Sequence, residues 1–226
     1  MKHPTQEEEE AWLALWQGIN EVSEMFPEDV VFIGGIAVYV HSTAAGLAPG
    51  LIERSHDADL YISLPAYDDL RSIEIVTSNV RLRKKQFIKY EMDYDVYVEH
   101  NHGLLVSYAD IFAGSQVIEQ VRVACLEHLL VLKIAALASR RNTPKGPKDE
   151  RDVIRIVLLL RQYGVIRPRL DRYFTSEMAK TLEQLARSRE FVTLARGNLH
   201  EARSLRDAYA DMLSRKTLTL RSTRRR

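Results

Sequence analysis

An unbroken apolar run, Val30 to Ile33, stops at the pair Gly34 and Gly35, and a helix-forming segment from Ile36 to about Ala45 follows directly. Four apolar residues in a row before a turn suit a short strand buried on both faces. Glycines at a strand-to-helix junction permit backbone geometry closed to other residues and let main-chain N–H groups approach an anion at a helix N-terminus. A loop containing Gly46, Pro49 and Gly50 then leads into Asp57 to Ser63, where Asp57, Ala58, Asp59 and Leu60 alternate with the period of a strand. A tight turn accounts for the glycines taken alone, and an edge strand for the aspartates. Their order constrains the fold most: strand, glycine turn, helix, loop and a second strand bearing two carboxylates.

The flanking segments extend this α/β pattern. Thr5 and Glu8 have capping-box spacing, and Trp12, Leu15, Trp16, Ile19 and Val22 recur on one face, so residues 6–25 are predicted as an amphipathic helix stopped by Pro27. A helix is expected from Pro65 past Leu70 and Ile73, and a hairpin or extended strand pair from Arg81 to Glu99, ending in the β-rich Tyr94, Val96, Tyr97 and Val98. From Leu126 the pattern becomes helical: Leu126, Leu129, Leu130, Leu132, Lys133, Ala136 and Leu137, a loop from Arg140 to Lys148 with Pro144, Gly146 and Pro147, then a helix from Asp149 to about Tyr163. The expected fold class is α/β, a mixed sheet with flanking helices (residues 1–125), followed by a helical C-terminal domain (residues 126–226).

Composition narrows the function classes. At 46% hydrophobic and 28% charged residues the chain has ordinary globular composition. The single cysteine, Cys125, excludes an internal disulfide and a cysteine metal site, and its apolar neighbours suggest an inert buried thiol. The start MKHPTQEEEE does not read as a secretory signal and no apolar run is long enough for a membrane span, so a cytoplasmic protein with no membrane partner is expected. Residues 1–30 carry Lys2 against eight acidic residues, whereas residues 201–226 carry eight basic residues against three acidic ones and end in Arg224, Arg225 and Arg226. A basic tail of that kind can contact phosphates through counterion release, or be a solvated terminus.

Asp57 and Asp59, two apart on a strand, project from one face about 7 Å apart at the backbone. Two carboxylates of that reach can close on one hard divalent cation such as Mg2+ or Mn2+, which takes oxygen ligands and shares them with substrate phosphates. A third carboxylate from a neighbouring strand would allow two metals about 4 Å apart. Asp95, ahead of Val96, Tyr97 and Val98, is the leading third ligand, with Asp93 on the same face as the reserve. Tyr61, Tyr90, Tyr94 and Tyr97 suit base stacking or ordinary strand packing.

The order of strand, Gly-Gly, helix, loop and D-h-D-h, with h apolar, resembles the DNA polymerase beta nucleotidyltransferase superfamily. More narrowly, GGIAVYVHS, ERSHDADLYI, YDVYVE, LEHLLVLKIAALASR and KDERDVIRI are similar to the AbiEii-type nucleotidyltransferases of bacterial toxin–antitoxin and phage-abortive systems, a likeness running from Val30 to about Leu160. The resemblance implies that Gly34 and Gly35 hold a nucleoside triphosphate, that Asp57, Asp59 and Asp95 bind the metals, and that Arg54 precedes the metal motif. It also implies that Lys133 contacts the nucleotide phosphates, that Lys148 and Asp149 open the next helix, and that Asp152 supports the site. Gly35 stands where many members carry serine, His56 replaces a small polar or acidic residue, and the long interval between Gly35 and Asp57 favours the larger AbiEii-like branch.

The expected activity is transfer of a nucleoside monophosphate from an NTP to an acceptor hydroxyl with release of pyrophosphate. The likeness points to RNA, plausibly the end of a tRNA, as the acceptor and to a separately encoded antitoxin as a partner. A small-molecule acceptor, a protein acceptor and a nucleotide-binding module without turnover are the alternatives.

Overall fold

The computed structural model describes residues 5–80, 84–100 and 103–214. Lys2, the Arg224 to Arg226 tail and the first part of the predicted hairpin, Arg81 to Arg83, lie outside the described residues. The chain divides into two compact units, the first comprising residues up to Ala44 and Glu53–Cys125, the second Ala45–Ile52 and Leu126 onward.

The first unit begins with α1 (Gln6–Met25), and its start is locally encoded. The Thr5 hydroxyl accepts from Glu8 N (3.2 Å) while the Glu8 carboxylate accepts from Thr5 N (2.8 Å), closing the capping box that the spacing predicts. Thr5→Ala is expected to cost about 1 kcal/mol and to lower the midpoint of a thermal melt by about 2–4 °C. An unchanged melt would show that this end of α1 adds nothing to the cooperative unit.

The chain continues through β1 (Val30–Ile33), α2 (Gly34–Ala44), β2 (Asp57–Ile62), α3 (Leu64–Ile73), β3 (Thr77–Asn79), β4 (Lys84–Lys89), β5 (Met92–Val98), α4 (Tyr108–Gly114), β6 (Gln116–Ile118) and β7 (Val121–Val123). Among the described residues these strands form one mixed seven-stranded sheet in the order β3-β4-β5-β2-β1-β7-β6. β2 runs antiparallel to β1 and parallel to β5, and β1 runs parallel to β7. All four β1 residues are buried, as a strand with neighbours on both edges and cover on both faces must be.

α1 closes one face of the sheet. Tyr94 donates its hydroxyl hydrogen to Leu15 O (2.9 Å), and a Cβ on Gly18 would stand 2.1 Å from that hydroxyl oxygen, so the glycine admits the ring tip. Burial pushes the Tyr94 phenol far above its ordinary pKa, and it acts only as a donor to a carbonyl. On the same side Trp12 stacks on Trp16 and meets the edge of Tyr39 from α2. His41, in the last turn of α2, lies 2.8 Å through Nε2 from Ala124 O just beyond β7, and that contact requires the hydrogen on Nε2.

Several elements differ from the sequence expectation. α2 starts at Gly34, not Ile36, because Gly34 itself makes the turn with φ +65°. The β4–β5 hairpin forms as expected, but its turn uses Tyr90 and Glu91, both at positive φ, and the unanticipated β6–β7 hairpin turns at Glu119 and Gln120 in the same way. Neither pair contains glycine or asparagine, the usual signal for such turns.

The second unit holds a 3-10 turn (Pro49–Leu51) and the helices α5 (Leu126–Arg140), α6 (Gly146–Tyr163), α7 (Arg167–Asp171), α8 (Ser176–Leu185), α9 (Glu190–Leu194) and α10 (Leu199–Ser214). α6 starts three residues before the expected Asp149, with Pro147 in its first turn, where a missing N–H costs nothing. Ala45–Ile52 is held to this unit by Arg155, whose Nε donates to Leu51 O (2.8 Å) from the buried face of α6.

Candidate active site

β2 places its two aspartates by simple alternation. Ala58 and Leu60 are fully buried, while Asp57 and Asp59, which alternate with them, are half-buried on the other face. The parallel pairing of β2 with β5 sets Asp57 against Asp93 and Asp59 against Asp95. In-register partners leave the same face of a sheet, and Tyr94, pointing to α1, fixes which face. The aspartates therefore stand on the face away from α1. Asp93 is exposed and Asp95 is 7% exposed.

On the other edge of β2, Asp59 pairs with Ile33, the last residue of β1, so Gly34 is the next residue in space. A Cβ on Gly34 would lie 2.0 Å from Asp59 Oδ2. Only glycine meets both demands here, a positive φ and a carboxylate against its Cα. The result is a carboxylate at the N-terminus of an eleven-residue helix, where unpaired N–H groups and the helix dipole favour anions.

Two carboxylates of the row, Asp57 and Asp95, are held by neighbouring side chains. Ser55, buried just ahead of β2, donates to Asp57 Oδ1 (3.1 Å). Asp95 accepts from the Lys84 ammonium through Oδ2 and from Gln86 Nε2 through Oδ1 (2.8 Å). Gln86 lies directly opposite Asp95 on antiparallel β4, and Lys84 is its diagonal neighbour on the same face. Among the described residues no three His, Cys, Asp or Glu side chains converge as metal ligands. The chemistry of Asp57 and Asp59, two hard oxygen donors on one face beside a helix N-terminus, nevertheless fits a divalent cation shared with a phosphate.

The other residues singled out in the sequence take different places. Gly35 is buried in the first turn of α2. Arg54 forks onto Glu9 of α1 (2.5 and 3.1 Å) and covers the Trp12 ring at 5.2 Å, and its guanidinium holds the Glu9 carboxyl below the usual range. Lys133, Lys148 and Asp152 belong to the helical unit. There Lys133 of α5 meets Asp152 (2.7 Å) and Asp149 (3.8 Å) of α6, Arg140 binds Asp149 through two bonds (2.5 and 2.9 Å), and Arg155 binds Asp152 (2.9 Å). Lys148 is half-buried next to Asp149. This ion-pair network accounts for the burial of Lys133 by itself.

Ser55, Lys84 and Gln86 were not singled out by sequence. Ser55 sits two residues before Asp57 and was open to a local reading, whereas Lys84 and Gln86 become neighbours of Asp95 only through the β4–β5 register.

No family model and no curated protein sequence matches the chain. Among solved structures, the chain resembles an antigenic nucleotidyltransferase-like protein from Paracoccidioides brasiliensis, with 16% identity, 80% of this chain and 92% of that one covered, and a TM-score of 0.51. It also overlaps JHP933 from Helicobacter pylori, with 14% identity, 96% and 94% covered, and a TM-score of 0.48. The fold, a mixed sheet with flanking helices and a helical C-terminal region, is thus one shared with a nucleotidyltransferase-like protein.

Proposed function

We propose that the chain is a nucleotidyltransferase: an acceptor hydroxyl attacks the α-phosphorus of a nucleoside triphosphate, a new P–O bond forms, and pyrophosphate leaves. The observation that carries this reading is Asp59, set against Gly34 at the N-terminus of α2 and level with Asp95 on the next strand. In this reading Asp57 and Asp59 hold a divalent cation, Mg2+ or Mn2+. When bound, that cation neutralises charge on the triphosphate oxygens and orients them. Gly34 and Gly35 offer backbone N–H groups to the phosphates, because without side chains the main chain can come close. Ser55 steadies the Asp57 carboxylate, and the developing charge is met by groups already in position.

The likeness of the quoted motifs to the AbiEii-type branch supports a finer proposal. The acceptor is an RNA, with a tRNA end first among candidates, ATP is one candidate NTP, and the protein acts as a cytoplasmic toxin controlled by a cognate antitoxin. Among the described residues no helix is long and apolar enough to cross a membrane, which leaves this proposal open to a soluble setting.

The test is incubation of the full chain with each labelled NTP, Mg2+ and bulk RNA. Label in RNA supports the reading, while label only in small molecules or only in protein moves the acceptor to that class. Asp59→Asn should reduce transfer by on the order of 10³-fold, equivalent to about 4 kcal/mol of lost transition-state stabilisation. Equal behaviour of wild type and Asp59→Asn with all acceptors would leave only a nucleotide-binding module. A neighbouring reading frame encoding a small antitoxin would support the toxin proposal at little expense.

A further inference from the structure

The helical unit carries a basic face that its own ion pairs leave unused. Arg187 and Arg189 flank Ser188 in the turn between α8 and α9, and both are exposed. Arg206 of α10 joins them. Its Nη2 donates to Ser188 O (3.4 Å), its guanidinium covers the Phe191 ring at 5.3 Å, and its Nε is buried without a hydrogen-bond partner. Arg203, one turn earlier on the same stripe of α10, is exposed as well. Among the described residues none of these four arginines stands in an ion pair, and Glu183 and Asp207, each a turn along the chain from Arg187 and Arg203, form none with them. Other cations of the unit are taken: Arg151 meets Glu190 (2.7 Å), Arg161 meets Asp211 (3.1 Å) and Lys180 meets Glu177 (2.8 Å). Glu150, which accepts from the Ser188 hydroxyl (2.5 Å), is itself paired with Arg141 (3.6 Å).

Resting on the reading of RNA as the acceptor, we infer that this face of the helical unit binds the phosphate backbone of an RNA. Arg187, Arg189 and Arg206 meet at one turn, where their planar, forked guanidinium groups suit phosphate oxygens, and Arg203 extends the row along α10. The ring of Phe191 holds Arg206 in place, so less side-chain freedom is lost when an anion arrives. Among the described residues Leu199 is the exposed large apolar side chain on this part of the chain, so the face lacks the dry centre on which a protein partner would pack. Binding to a polynucleotide needs no such centre, because release of counterions from its phosphates supplies the free energy.

The experiment measures fluorescence anisotropy of a fluorescein-labelled single-stranded RNA with the full chain, over a range of KCl concentrations and without NTP or divalent ions. The variants are Arg187→Gln with Arg189→Gln, Arg203→Gln, and a control that removes the same charge elsewhere on the unit, Arg161→Gln with Lys180→Gln. Arg206 is left intact because it also covers Phe191, and thermal melts report folding. The Arg187/Arg189 double variant should bind about tenfold more weakly in 0.1 M salt. Its plot of log affinity against log salt should be shallower by roughly 1.4, two contacts at about 0.7 each, and that of Arg203→Gln by about 0.7. The control should stay within about twofold of wild type. Equal losses in the control and the face variants would reduce the effect to net charge and overturn the inference. So would displacement of the RNA by poly-glutamate as readily as by unlabelled RNA, which would give the face to an acidic protein. Wild type that transfers label to RNA while the face variants bind as it does also overturns the inference but leaves the proposed function standing. Wild type that binds no RNA removes both the face and the RNA acceptor, and transfer to a small molecule or protein would then be the surviving activity.

Discussion

Gly34→Ala is expected to destabilise the sheet-bearing unit by about 3 kcal/mol, because it meets two penalties at once. A non-glycine residue in the left-handed region costs about 1–2 kcal/mol, and the backbone here has φ +65°. The new Cβ would also fall 2.0 Å from Asp59 Oδ2, and relieving such an overlap in a packed setting costs about 1–3 kcal/mol. For a chain of this size the melting midpoint should drop by roughly 6–12 °C. The two causes separate in a double-mutant cycle. Asp59→Ala removes the carboxylate, so Gly34→Ala should cost about 1–2 kcal/mol less in that background. Equal costs in both backgrounds would mean that the Asp59 carboxylate adds no penalty beyond the φ requirement and the 2.9 Å approach of the Asp59 Cβ, which alanine retains.

Arg155→Met is expected to cost the helical unit about 3–5 kcal/mol, the range found when one partner of a buried ion pair is removed. Arg155 is 2% exposed, its Nη1 donates to Asp152 and its Nε to Leu51 O. Methionine occupies much of the same space but leaves the Leu51 carbonyl unmet and Asp152 with one cation fewer. Besides the loss in chemical denaturation, Ala45–Ile52 should become a preferred site of limited proteolysis, since a bond holding it to α6 is gone. Arg155→Lys should recover only part of the stability, as an ammonium cannot span both acceptors with fork geometry. A denaturation midpoint unchanged in Arg155→Met would show that the network is solvated and its burial is not costly.

The legible parts of the fold and site are those whose causes lie within one or two turns of chain. α1 was readable from residue 6 to residue 25 because its capping box and apolar spacing are local, and the placement of Asp57 and Asp59 on one face follows from strand alternation alone. The Gly34 junction was readable as a glycine turn, although its close approach to Asp59 was not. The β6–β7 hairpin escaped because Glu119 and Gln120 carry no turn signal, and their positive φ is imposed by the strands they join.

By itself, then, the sequence determined the succession of strand, glycine turn, helix and carboxylate strand, and with it the kind of site that such a succession can build. The tertiary structure alone decided three things: that Asp59 stands level with Asp95, that Lys84 and Gln86 take both oxygens of Asp95, and that Ala45–Ile52 joins the helical unit through Arg155. The physical reason is common to all three. Helix caps and strand alternation are settled by neighbours along the chain, whereas register and burial are settled by pairing distant segments. A shift of one residue between β4 and β5 would send Lys84 to the opposite face.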